Sequence, residues 1–131
     1  MIFIKIFLSY KWEDKENANG LEGLLHNPNN KYRHTTEREH IDMRNKGENA
    51  VKNYLKGIIS DRNALICLIG DNTYNATGVK YELEVAKSLG KKIIAVRMSQ
   101  TTGGFPHLLK AWGISEVSWD AKKINDKLSS I

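Results

Sequence analysis

Short apolar runs alternate with amphipathic stretches from one end of this chain to the other. Ile2 to Leu8 is β-branched and aromatic and predicts a strand. Ser9, Tyr10, Lys11 and Trp12 follow as a loop, and Asp14 is placed to cap a helix carrying Ala18, Leu21, Leu24 and Leu25 on one side. The turn-forming run from His26 to Asn30 stops that helix. Lys31 to Thr35 predicts a short, weak strand. Thr36 to Lys46 is charged, with Ile41 and Met43 as its only apolar residues, and predicts a long exposed loop. From Gly47 to Ser60, Ala50, Val51, Tyr54, Leu55, Ile58 and Ile59 share one helical face. Ala64 to Gly70 has no polar residue, the pattern of a strand covered on both faces in a parallel sheet. Val79 to Leu89 predicts a helix ended by Gly90, and Lys92 to Met98 a further strand. Phe105 to Trp112 predicts a short helix with Pro106 in its first turn. Ile114 to Trp119 predicts a last strand, and Asp120 caps a closing helix with Ala121, Ile124 and Leu128.

This alternation argues for an α/β fold, a three-layer sandwich with a five-stranded parallel sheet and helices on both faces. The arrangement is flavodoxin-like, with strand order 2-1-3-4-5. The 131 residues predict a single domain spanning 1–131, with no internal repeat or linker. No apolar run approaches the ~20 residues needed to span a bilayer. Lys5 interrupts the apolar start, which also lacks the length of a signal peptide. Cys67 is the single cysteine, which excludes a disulfide within the chain and points to a reducing, cytoplasmic setting. The net charge of +5 fits an anionic partner or a basic solvated surface. Lysine and arginine are scattered without a basic stripe, which argues against nucleic acid as that partner.

A helical wheel separates two acids in the helix that starts at Val79. Each residue advances about 100°, so Glu82 falls near ~−60° from Val79, inside the arc of Ala86, Leu83 and Leu89. Glu84 falls near ~+140°, on the opposite side, as an ordinary surface residue. A glutamate on an apolar face is explained either by local hydrogen bonds or by chemistry. The loop after the first strand forms the opposite wall of the same cleft in the expected strand order. Tyr10 and Trp12 there are able to stack on a base or pyridinium ring, and Lys11 to meet a phosphate. Trp12 covering the core edge is the simpler reading of that residue taken alone.

These segments carry a resemblance. Lys5-Ile6-Phe7-Leu8-Ser9-Tyr10, with Glu13 and Asp14 after it, resembles the opening strand and box of TIR domains. Leu65 to Gly70, then Thr73, then Val79-Lys80-Tyr81-Glu82-Leu83 is similar to the TIR-like branch of Thoeris anti-phage defence, and Gly90 to Val96 continues the match. The resemblance implies a TIR-like fold and an enzyme that hydrolyses or cyclises NAD+, releasing nicotinamide, with NAD+ as substrate and no separate cofactor. It implies Glu82 as the catalytic residue, Ser9, Tyr10, Lys11, Trp12, Asp42 and Thr73 as substrate contacts, and a site-closing loop at about His34 to Lys46. It also implies self-association and a downstream effector that senses the nucleotide product. Family members commonly carry a tryptophan four residues before the glutamate; Gly78 stands there in this chain and predicts a looser helix start.

The remaining features carry less. A non-enzymatic TIR-like assembly module is the alternative function, since a glutamate does not by itself prove turnover. In a receiver-like domain, Asp71 would share a metal with an acidic pair after the first strand, but Glu13 and Asp14 come about four residues too late. His34, Glu37, Glu39 and His40 match no standard metal spacing, so no metal is expected. Cys67 sits mid-strand, where thiols are inert. Thr102-Gly103-Gly104 lacks the lysine of a phosphate-binding loop. Asn75-Ala76-Thr77 is a glycosylation sequon without meaning in the cytoplasm.

Overall fold

A computed structural model describes residues 3–25, 33–37, 47–98 and 101–129. The strands are β1 (Phe3–Ser9), β2 (Arg33–Glu37), β3 (Ala64–Ile69), β4 (Lys92–Arg97) and β5 (Glu116–Val117). The helices are α1 (Lys15–Leu25), α2 (Glu48–Ile59), α3 (Thr77–Ser88), α4 (His107–Ala111) and α5 (Ala121–Leu128). Every strand pairing is parallel, and the sheet order is β2-β1-β3-β4-β5. No helix among the described residues is long and apolar enough to cross a membrane.

The alternation of side chains along each strand divides the core into two clusters. Ile4, Ile6 and Leu8 of β1 meet Ala18 and Leu21 of α1 and Ile124 and Leu128 of α5 on one face. Phe7 of β1 and Leu65, Cys67 and Ile69 of β3 meet Val51, Leu55 and Ile59 of α2 and Val79, Leu83 and Ala86 of α3 on the other. All six residues of β3 are buried, as its uninterrupted apolar run requires between two helical layers.

Several boundaries differ from the pattern-based expectation. Ala50 is exposed, so the buried stripe of α2 is Val51, Leu55 and Ile59. Pro106 is the N-cap of α4 rather than part of its first turn. The last strand is only Glu116–Val117. Asp120 caps α5 as its position suggests, its Oδ1 accepting from the Lys123 amide at 3.0 Å. Gly90, at φ 71°, turns the chain out of α3 in the left-handed region that glycine enters without steric cost. The expected turn from His26 to Asn30 and the expected loop from Thr36 to Lys46, with His40 and Asp42 in it, lie outside the described residues, apart from Thr36 and Glu37, which close β2.

Candidate active site

The carboxyl ends of β1 and β3 lie side by side in the sheet, and the chain's winding reverses between them. Open parallel sheets leave their ligand crevice at that position. The helix approaching it, α3, begins at Thr77, two residues before the first apolar residue of its pattern. Its N-cap is Ala76, which has no capping side chain. Glu82 therefore lies in the second turn, beyond the reach of the helix-end charge, which fades within the first.

Glu82 is 5% exposed. Its Oε1 accepts a hydrogen bond of 2.6 Å from the Ser9 hydroxyl, which is completely buried at the end of β1. Ser9 follows Phe7 by two residues, so strand alternation turns it toward the α2/α3 face. Its register partner on β3 is Cys67. Burial pushes the Cys67 thiol far above its ordinary range, and the nearby Glu82 carboxylate adds to the rise. The thiol is thus a neutral neighbour of the carboxylate, without nucleophilic character.

The other expected contacts go elsewhere. Tyr10 packs against the α1/α5 cluster, on the opposite side of the sheet from Glu82. Lys11 pairs with Glu13 at 3.1 Å, both side chains partly exposed. Trp12 opens a 3-10 turn, Trp12–Asp14, and its side chain lies outside the described set. The Thr73 hydroxyl accepts from the Gly70 amide at 2.8 Å and donates to the Leu68 carbonyl at 3.3 Å. Thr73 thereby ties the turn Thr73–Asn75 to the end of β3. Of the expected substrate contacts, Ser9 is placed against Glu82 by a direct hydrogen bond.

Sequence spacing missed a neighbouring acidic group. The 3-10 turn after β1 folds Asp14 against Gly70, where a β-carbon would lie 2.7 Å from Asp14 Oδ2 and 2.5 Å from Met98 Cε. Asp14 Oδ2 is buried and has no hydrogen-bond partner among the described residues. Burial first, then the Glu13 and Asp71 carboxylates, raise Asp14 above the ordinary aspartate range. Glu13 is held below its own range by Lys11 and by the Asn72 amide, which donates to it at 3.3 Å. The turn thus carries the acidic pair to the end of β3, closer to Asp71 than the spacing implies. Among the described residues, no three histidine, cysteine, aspartate or glutamate side chains converge on a position that would hold a metal.

A cleft of about 990 Å³, without Glu82 in its lining, opens between β4, β5 and α5, with Arg97, Met98, Trp119 and Lys123 in its wall. Arg97 grips Glu116 through Nε at 3.0 Å and Nη2 at 3.1 Å, and Lys123 donates to Ser118 at 3.2 Å. These groups are already satisfied by one another, whereas Glu82 is a carboxylate held deliberately out of water at the sheet's switch point. Glu82 is the better candidate centre on that physical ground.

The family model of the Thoeris protein ThsB, TIR-like domain, matches residues 7–103, a span that includes Ser9 and Glu82. No curated protein matches the sequence. Among solved structures, the chain is similar to the Clostridium botulinum CMP N-glycosidase BcmB, with a TM-score of 0.56. The two share 14% identity over 97% of this chain and 99% of that one, a likeness of fold.

Proposed function

The chain belongs to the TIR-like family of the Thoeris protein ThsB, and from that premise we propose that it cleaves NAD+ at the nicotinamide–ribose bond. The product is an ADP-ribose-type nucleotide, linear or cyclic, that signals to a separate effector in anti-phage defence. The observation that carries this reading is the buried Glu82 carboxylate, held by Ser9 at the carboxyl end of β1 within the family-matched span.

In this reaction the bond from ribose C1′ to the pyridinium nitrogen breaks, and nicotinamide leaves neutral with the electron pair. The ribose is left with oxocarbenium character. A carboxylate beside C1′ stabilises that charge and holds a ribose hydroxyl, as carboxylates do in glycoside cleavage. Water attacking C1′ gives ADP-ribose and a proton; attack by the substrate's own adenine or hydroxyl closes a ring instead. The reaction as written draws on no metal and no second cofactor. The glycosidase named above is, as its name says, a CMP N-glycosidase, so CMP belongs beside NAD+ in the assay.

The test is chromatography of nicotinamide and cytosine after incubating concentrated protein with NAD+ or CMP, alongside Glu82→Gln. Nicotinamide release by the unmodified protein and none by Glu82→Gln is the expected result. Cytosine release alone would replace the substrate, and activity surviving Glu82→Gln would move the site.

One observation favours a second reading. Glu82 is only 5% exposed, and neither described cleft includes it. A self-associating TIR-like assembly module would have that closed arrangement and would release no base at any protein concentration.

A further inference from the structure

We infer that Ser9 is a positioning residue: its buried hydroxyl holds the Glu82 carboxylate in place and in its ionised form for the reaction, and does not contact substrate. This inference rests on the reading of Glu82 as the reacting carboxylate.

Three observations carry it. First, Ser9 has no exposed surface, so a ligand in the crevice meets Glu82 before it meets Ser9. Second, the 2.6 Å separation lies in the range of a hydroxyl donating to a charged carboxylate oxygen. Third, the bond joins two rigid elements 73 residues apart, a central strand and a helix, rather than neighbours on one turn. The pair sits on the side of the sheet covered by α2 and α3, beside the neutral Cys67 thiol. A carboxylate there is costly unless something donates to it. A donor bound to the ionised form favours that form, and it also fixes where Oε1 sits relative to the strand ends. Tyr10, one residue later, leans to the other face, so β1 supplies this contact to Glu82 through Ser9.

The experiment uses Ser9→Ala, nearly isosteric, with Ser9→Thr as the variant that restores the hydroxyl. The first readout needs no turnover. The Glu82 side-chain carboxyl ¹³C signal, assigned by its loss in Glu82→Gln, is followed against pH. It is expected to titrate higher in Ser9→Ala than in the unmodified protein by about one pH unit or more, and to return in Ser9→Thr. The second readout is nicotinamide release. In Ser9→Ala, kcat is expected to fall about tenfold or more with KM nearly unchanged, and the acid limb of the pH–rate profile to move up.

A titration that does not move in Ser9→Ala overturns the inference, whether or not NAD+ is consumed. A lower melting temperature with an unmoved titration reduces Ser9 to a packing residue. A shifted titration with no nicotinamide released by any variant supports the positioning role and removes the proposed reaction, so the two failures are distinguishable. Should Ser9→Thr not fold around its added methyl, the Ser9→Ala titration decides alone.

Discussion

Glu82 and Glu84 stand two residues apart in α3 and answer to different neighbours. Glu82 turns toward the sheet and takes the Ser9 hydroxyl at 2.6 Å, while Glu84 turns toward α2 and pairs with Lys52 at 2.5 Å. Lys52 also reaches Glu48 at 3.8 Å and lies 5.6 Å from the Tyr81 ring centre. Glu84 is thus more than the ordinary surface residue its place on the wheel implies: it joins two helices that cover the same face.

The Lys52 ammonium titrates above its ordinary range, chiefly because of the hydrogen bond it donates to Glu84. Glu84→Gln is expected to lower the melting temperature by a few degrees at low salt and by less at high salt, because partly exposed pairs are screened. Nicotinamide release by Glu84→Gln should match the unmodified protein, in contrast to Glu82→Gln. Thermal scans at two ionic strengths and the release assay check both halves.

Two glycines predict opposite outcomes. Gly78 lies inside the first turn of α3, and a β-carbon there meets nothing within 4 Å. Gly78→Ala should stabilise the protein by about 0.5–1 kcal/mol, through the lower entropy of the unfolded chain and better helix propensity. A β-carbon on Gly103 would overlap the backbone of Asp71. Gly103→Ala should cost ~2 kcal/mol or more by displacing the loop after β4. Denaturant midpoints at constant slope measure both.

The same loop is held from a second side. Arg97 donates to the Gly103 carbonyl at 2.9 Å while its other nitrogens grip Glu116. Lysine cannot reproduce this fork. Arg97→Lys should cost about 1–2 kcal/mol. Amide exchange should quicken at Thr102, whose N–H donates to Asp71 Oδ1 at 2.9 Å, before it quickens in β3.

Asp14 gives a pH dependence whose sign follows from its raised titration. A carboxyl that holds its proton more tightly when folded carries no penalty below the unfolded value, near ~4. The penalty builds as pH rises from there toward the folded value and is complete above it. Asp14→Asn is expected to raise the melting temperature at pH 7, with the gain shrinking toward zero by about pH 3. A gain independent of pH would place the effect in packing against Gly70 and Met98 instead.

The alternation of apolar runs and amphipathic stretches was enough to predict an α/β fold with a parallel sheet, because strand and helix periods are local properties of the chain. The same local geometry put Glu82 on the covered side of its helix, where it is buried. Helix starts were less legible: α3 begins on Thr77 and Gly78, which carry no apolar signal and follow an N-cap without a side-chain bond. The neighbours of the candidate site were decided by the tertiary structure. Which way Ser9 and Tyr10 point depends on where β1 stops alternating, and what Ser9 meets depends on packing α3 over β1 and β3. Arg97 and Glu116, 19 residues apart, meet only because β4 and β5 pair in one register. Asp14 reaches Gly70 only through the fold of a 3-10 turn. A one-dimensional pattern specifies which face is apolar, but which polar groups meet across that face is set by strand register and helix placement, and those exist only in the folded chain.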